Sequence, residues 1–557
     1  MITTIRPCTR LPRPAGVGRP AQWARHLVIA LLALGAYANS FPGAFIFDDV
    51  AIVRENPLVN DPSLGRILAA DYWGEGAGSG LHRPLTILSY AVNRHLLGPG
   101  PAGFHTVNVL LHAVVSVLVA AVASAAGLSS SIGWVAAALF AVHPLHTEVV
   151  DIVTGRAELL AALFVLLALL AALRRGRLHR PLTAVCFAAA LLSKESAATF
   201  LPLLLAFDLF GTRGVRAVAR DRWRLYALVA AITVVWLAWR KFGLLSGSLP
   251  ANAIYPEDNP LVLLGPAGRL LTVLKVQALY LQRLALPFSL NAVFVDTMIG
   301  PVSNPRSLQA VALVTGAVLL AVALVAGWRR RAPWSLGLAA HFLAFLATAN
   351  VLVLTTFLVA ERFAYLPSAG FCLAAAGAGT VLLRGLAPRR CILAAAAATA
   401  ILALGGRTLA RNIDFSSPAI LWRAETRSAP GNYRAWILLG GALRESGDAT
   451  GAEAALTRAL ELRPRFVEAA LSLGYFLLDA GRPVEAAQHF QRILESGPGD
   501  SPLAMAGMVE AFLSLGQVRE AAAWLEAIPP YFRHLPLYHA LADRVRAAAG
   551  NFGDAGR

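Results

Sequence analysis

Two adjacent aspartates, Asp48 and Asp49, follow Phe45-Ile46-Phe47 just past the first apolar segment, in a chain of which only 15% of residues are charged. An ionised carboxylate accepts hydrogen bonds only, and an apolar surface beside it raises its pKa toward that of a general base. The pair could therefore take a proton from a hydroxyl at a lipid–water boundary. In its ordinary role it would cap a helix or close a loop salt bridge. A second group, His143-Pro144-Leu145-His146-Thr147-Glu148, is followed by Asp151, Arg156 and Glu158. Pro144 disturbs a zinc pair at His143 and His146, and no second ligand pair has matching spacing. A hydrogen-bonding substrate pocket or plain interface packing fits better.

Cations stand at two more such places. Lys194, in Ser193-Lys194-Glu195-Ser196, is one of only three lysines, with Lys241 and Lys275. Its ammonium suits a lipid-linked phosphate as a point charge, or it balances Glu195. Arg362, in Glu361-Arg362-Phe363-Ala364-Tyr365, offers phosphate a planar fork of donors, unless Glu361 occupies it. Arg156, Lys194 and Arg362 together suggest an anionic ligand, with His82, Arg83 and His105 added to the same cleft. One acidic pair specifies no metal. The four cysteines show neither metal-site nor redox spacing.

These residues need a membrane framework to bring them together. The chain of 557 residues is 57% hydrophobic, which places it among polytopic membrane proteins. Its net charge of +17 falls in short arginine blocks between apolar segments, from Arg174 to Arg177, Arg213 to Arg224, Arg329 to Arg331 and Arg384 to Arg390. That pattern follows the positive-inside rule and makes nucleic acid the weaker partner. About eleven apolar segments are expected as spans, at residues 25–42, 103–127, 132–147, 158–173, 181–193, 197–210, 225–242, 308–328, 334–356, 363–383 and 391–407. Residues 1–24 form a basic cytoplasmic tail. Segment 267–290, rich in Arg, Lys and Gln, reads as an amphipathic helix on the outer surface. The loop 43–102 and all the motifs above then share the outer side.

Beyond about residue 410 the pattern changes. Trp436, Leu439, Gly440, Leu443, Gly447, Ala452, Ala459 and Pro464 match a tetratricopeptide repeat. Ala470, Leu473, Gly474, Leu477, Gly481, Ala486, Phe490 and Pro498 repeat it 34 residues later. A degenerate third copy carries Gly516, Ala521, Leu525 and Pro530, displaced by one position. Residues 417–548 are expected to stack as an α-solenoid on the outer side.

Taken in order, the Asp48 motif, Asn56-Pro57, His82-Arg83-Pro84-Leu85-Thr86, Phe104-His105-Thr106-Val107-Asn108, the His143 motif, Ser193-Lys194-Glu195 and Glu361 to Ser368, with repeats behind them, resemble the transmembrane and tetratricopeptide repeat-containing O-mannosyltransferases of the GT-C superfamily. The resemblance implies an all-α protein, a GT-C-like bundle spanning 25–410 followed by the repeats. It also implies inverting transfer of a sugar from a polyprenyl phosphate donor to a hydroxyl, usually Ser or Thr of a protein, without a required divalent metal. Asp48 is the first choice for the base and Asp49 the second. Lys194, Arg362 and Arg156 would meet the donor phosphate. His82, Arg83, His105, His143, His146, Glu148, Glu361 and Tyr365 would line the substrate pocket. Phe47 stands where the family often has Tyr. The repeats would bind the acceptor polypeptide, and the expected location is a bacterial inner membrane with the active face periplasmic. The competing reading is a non-enzymatic scaffold or transporter whose repeats recruit an envelope partner.

Overall fold

A computed structural model describes residues 19–74, 79–174, 176–212, 214–240, 254–382, 389–496 and 501–554. The basic tail up to residue 18, Lys241, most of the Arg384 to Arg390 block and Pro498 lie outside them. The described residues form helices and no strand. They divide into two units, Met1–Ala292 with Ile299–Ser417, and Val293–Met298 with Pro418–Arg557.

Among the described residues of the first unit, four helices are long and apolar enough to cross a membrane: Pro101–Ala125, Val153–Arg174, Leu308–Arg329 and Glu361–Leu382. This corrects the expectation of about eleven spans. Several of the other apolar segments make helices that are too short. Ser130–Ala141 and Phe200–Gly211 have 12 residues each and Pro333–Phe345 has 13. At about 1.5 Å per residue these reach roughly 18–20 Å, against a hydrocarbon core of about 30 Å. The missing length goes to irregular backbone around His143-Pro144, Lys194 and residues 346–360. Such backbone is tolerated within a bundle where it lines a cavity.

The core is built of small and aromatic residues, with Phe140, Phe187, Phe200 and Phe345 fully buried. Helices Pro333–Phe345 and Tyr365–Leu382 pack backbone to backbone. A Cβ on Gly337 would collide with the amide of Ala374, and one on Gly370 with the amide of His341. Successive helices run in opposite directions, so one end of the bundle collects the end of Arg19–Ala36, the His143 turn, the start of Arg156–Arg174, the end of His179–Ser193 and the start of Tyr365–Leu382. The chemistry-bearing residues sit at that end.

Two pieces read as outer decoration are packed against this unit. Pro266–Ala285 buries Leu271, Val276, Tyr280 and Leu284 on one face, and the Tyr280 hydroxyl donates to the carbonyl of Ala360 at 2.8 Å. The region 43–102 holds a 14-residue helix, Pro84–Leu97, started by Pro84 in the first turn, where its missing N–H costs nothing. Thr86, Ile87, Tyr90 and Ala91 of that helix are buried.

The second unit consists of antiparallel helix pairs, Tyr433–Glu445 with Ala449–Leu462, Val467–Asp479 with Pro483–Ser496, and Pro502–Ser514 with Val518–Ala527. Gly447, Gly481 and Gly516 end the first helix of each pair at φ +84°, +71° and +71°, a left-handed conformation that glycine adopts freely. Gly440 and Gly474 let the second helix approach. A Cβ would lie 2.6 Å from Leu456 in the first pair and 2.5 Å from Phe490 in the second.

Candidate active site

At the end of the first unit where the helix termini gather lies a cavity of about 620 Å³. Its charged walls are Asp48, Arg83, Glu148, Glu158, Lys194, Glu195, Arg240 and Arg362. Tyr72, Trp73, Thr154 and Ser196 add polar edges, and residues 347–357 close one side with Thr348, Thr355 and Phe357. Each charge is delivered by a helix boundary. Arg83 precedes Pro84–Leu97, Glu158 lies in the first turn of Arg156–Arg174, Lys194 directly follows His179–Ser193, and Arg240 follows Val215–Ala238.

The two aspartates point in different directions. Between Ile46 and Asp48, Phe47 adopts φ +56°, a left-handed conformation rare for a bulky residue and costing about 1–3 kcal/mol. Asp49 is fully buried. Its carboxylate accepts the backbone N–H groups of Ile46 at 3.0 Å, Val153 at 3.1 Å and Thr154 at 2.8 Å. Burial pushes its pKa up to about 7 against the pull of those bonds. Asp49 therefore ties the loop to the 152–155 turn. Asp48 faces the cavity, and among the described residues nothing donates a hydrogen bond to its carboxylate. Burial raises its pKa, Arg362 and Arg83 oppose the rise, and Glu148 adds to it.

The cations do not pair with their neighbours in sequence. Arg362 donates from its backbone N–H and guanidinium to Glu148, at 2.8 and 2.6 Å, rather than to Glu361. It also lies over Phe357 and Phe363. Lys194 meets Glu158 at 2.5 Å rather than Glu195, and burial lowers its pKa while Glu158 raises it. Arg83 donates twice to Glu195, at 3.1 and 3.0 Å, over the ring of Tyr72. Arg240 approaches the other oxygen of Glu195 at 3.4 Å. Burial raises the pKa of Glu195, but the two guanidiniums outweigh it and hold it at about 2. Four cations thus face three paired glutamates and the unpaired Asp48.

Of the residues expected in the site, the cavity brings together Asp48, Arg83, Glu148, Lys194 and Arg362. The rest lie elsewhere. Arg156 is wholly buried and donates to Asn108 and Asn93, both at 2.8 Å, and to the carbonyl of Phe104 at 2.9 Å. It braces helices instead of facing an anion. His82 bonds the carbonyl of Leu68 and packs on Trp239, while His105 lies 3.4 Å from the carbonyl of Ala44. His143 accepts the N–H of Leu145 and donates to the carbonyl of Leu284, and His146 meets Ser368 at 2.7 Å. The two imidazoles therefore share no ligand direction. Tyr365 bonds His112, and Glu361 joins Arg411 at 2.7 Å and the N–H of Asn291. Among the described residues no three His, Cys, Asp or Glu side chains converge as metal ligands. Arg240 escaped sequence reasoning because it ends an apolar stretch, where an arginine reads as a snorkelling anchor. Glu158 and Glu195 were visible, but not as the partners they are.

Tetratricopeptide repeat models match residues 419–461, 438–501 and 477–545. The chain is 27% identical over 471 residues to a protein O-mannosyl-transferase of Caenorhabditis elegans, covering 83% of this chain and 65% of that protein. It is 29% identical over 498 residues to one of Homo sapiens, covering 78% and 65%. One of Drosophila melanogaster is 34% identical over 275 residues, covering 46% and 29%. The chain thus spans about 65% of the length of the first two. These relatives are animal proteins, which overturns the expectation of a bacterial inner membrane with a periplasmic active face.

Proposed function

The chain is a membrane-associated, repeat-containing homologue of the protein O-mannosyl-transferases, and from that premise we propose that it is a glycosyltransferase. It moves a sugar, with mannose the first choice from its relatives' names, from a polyprenyl phosphate to a Ser or Thr hydroxyl of a protein. The helical unit is then a GT-C-type bundle. The observation that carries this reading is one unpaired carboxylate, Asp48, facing a wall of cations in a single cavity.

In the reaction, the acceptor oxygen attacks the anomeric carbon and its proton passes to Asp48. The bond from that carbon to the phosphate oxygen breaks, and its electron pair stays on the leaving polyprenyl phosphate. A base of this kind contributes ~10²–10⁴-fold. The raised pKa of Asp48 suits the task, and cations fixed before the reaction stabilise the charge gained by the phosphate. Glu148 holds Arg362 beside Asp48, where it keeps the base ionised. Lys194 and Arg83 face the donor side. Asp49 fixes the loop that aims Asp48. The repeats recruit the acceptor chain through their groove, where Leu473, Leu477, His489 and Arg492 surround a space of about 380 Å³.

A transporter would need polar groups continuing through the bundle. A second space between the helices is instead lined wholly by apolar residues, among them Val119, Leu166, Phe207 and Leu373, which favours the enzyme. The test is direct. The purified chain in lipid nanodiscs, given radiolabelled polyprenyl phosphate mannose and Ser/Thr peptides, transfers label to peptide with inversion at the anomeric carbon. Label that stays on the lipid with every peptide, or transfer with retention, refutes the proposal.

A further inference from the structure

The cavity's cations differ in how far they are already committed. Arg362 and Lys194 each hold a glutamate of their own, at 2.6 and 2.5 Å. Arg83 and Arg240 share one glutamate, Glu195, and the Arg240 contact is the loosest of the four at 3.4 Å. Glu195 Oε1, on that side, is buried and makes no hydrogen bond among the described residues. Arg240 is otherwise held by one bond to the carbonyl of Gly80 at 2.9 Å and by the ring of Trp236, over which its guanidinium lies. With Asp48 counted, four cations meet four acids among the described residues, and the least neutralised of the cations are Arg83 and Arg240, which share one glutamate.

Position points the same way. Arg362 and, more weakly, Arg83 hold down the pKa of Asp48, whereas Arg240 is not among the charges that shift it. Displacement with inversion puts the base and the leaving group on opposite faces of the reacting carbon. An anion held beside Arg362 would share a face with Asp48, whereas one at Arg240 lies away from it. The helix that delivers Arg240 also exposes Val234, Val235 and Leu237 just before it, at 64%, 67% and 51%. This gives a lipid-anchored anion an apolar surface beside its charge site.

We propose that Arg240, with Arg83, forms the clamp for the donor's phosphate, drawing the two guanidiniums partly off Glu195 when the anion arrives. This rests on the transferase reading above. A sugar phosphodiester brings one negative charge to two guanidiniums that share a single glutamate, and the departing monoester gains a second, so the clamp holds the transition state more tightly than the donor. Forked guanidiniums suit that task better than an ammonium.

The test uses the full chain in nanodiscs with two probes, polyprenyl phosphate without sugar for binding and radiolabelled polyprenyl phosphate mannose for transfer. Arg240→Gln should weaken polyprenyl phosphate binding and lower kcat/KM for the donor by ~10²-fold, leaving the peptide KM and the melting temperature unchanged. Arg240→Lys should recover part of both. Arg362→Gln should retain polyprenyl phosphate binding. Wild-type protein that binds polyprenyl phosphate and loses it in Arg240→Gln, yet glycosylates no peptide, keeps the clamp and sinks the transferase reading. Binding unchanged in Arg240→Gln, binding lost only in Arg362→Gln, or no binding by wild type overturns the clamp.

Discussion

Removing the carboxylate of Asp49 should destabilise the protein, because Asp49 holds the loop and takes no proton itself. Three buried N–H groups, those of Ile46, Val153 and Thr154, depend on that one side chain. Each costs about 1–3 kcal/mol when left unmet, so Asp49→Ala should lose at least ~3 kcal/mol, a large part of the ~5–15 kcal/mol typical of a folded domain. At about 2–4 °C per kcal/mol, its melting temperature in detergent should fall by roughly 6–12 °C. Asp49→Asn keeps one acceptor oxygen. If that oxygen serves Ile46 and Val153, only the Thr154 N–H goes unmet, and the loss shrinks to about 1–3 kcal/mol. Scanning fluorimetry reads the melting shift, and hydrogen exchange at residues 46, 153 and 154 locates it. Transfer per folded molecule should survive in Asp49→Asn. An Asp49→Ala variant that melts with wild type and protects those three amides refutes the structural role. An Asp49→Asn variant that is stable but inert would return the aspartate to the chemistry.

Arg156 should behave likewise. Arg156→Gln leaves buried amide and carbonyl acceptors unpaired and should cost about 1–3 kcal/mol for each one left unmet, with no change in donor KM, read by melting and by kinetics on the surviving fraction. Asp151 gives a pH signature. Its carboxyl is buried, and burial raises its pKa from 3.8 to about 7 against the pull of Ser40 and Arg411. The folded state therefore binds the extra proton, so stability is highest below the ordinary aspartate range and is lost as pH rises toward 7. Asp49 adds a loss of the same sign, while the buried His143 and His146, whose pKa values burial lowers, add a gain of the opposite sign, so the melting temperature of Asp151→Asn relative to wild type should be higher at pH 7 than at pH 4. An unchanged slope would contradict this. Gly337→Ala or Gly370→Ala forces a methyl into a facing backbone and should cost several kcal/mol. Gly316→Ala, with open space around it, should be neutral by the same melting assay.

What the sequence disclosed follows from the cost of charge in an apolar chain. Asp48, Arg83, Glu148, Lys194 and Arg362 stood out because few ionisable residues interrupt the hydrophobic text, and the cavity brings all five together. The repeats were equally legible, since a 34-residue period survives any uncertainty about single helices. Pairing was not. Lys194 and Glu195, like Glu361 and Arg362, are neighbours whose side chains leave a tight turn in different directions, so each finds a partner from another helix. Nor could sequence separate Asp48 from Asp49, because the distinction rests on the left-handed Phe47 and on amides more than 100 residues away. The histidines attracted attention as potential ligands, but His82, His143 and His146 each spend a ring nitrogen on a carbonyl or hydroxyl of the protein. The span count failed in part for a geometric reason, since Ser130–Ala141, Phe200–Gly211 and Pro333–Phe345 are too short to cross. Apolar composition is shared by spanning helices and by short helices that stop at the cavity.

The central claim is that Asp48 takes the acceptor's proton in a sugar transfer. Kinetics of Asp48→Asn beside wild type, with polyprenyl phosphate mannose and a threonine peptide, test it most directly. Asp48 has no hydrogen bond to lose among the described residues, so the variant should melt with wild type while kcat falls by ~10²–10⁴-fold. Full transfer by a well-folded Asp48→Asn protein would contradict the account.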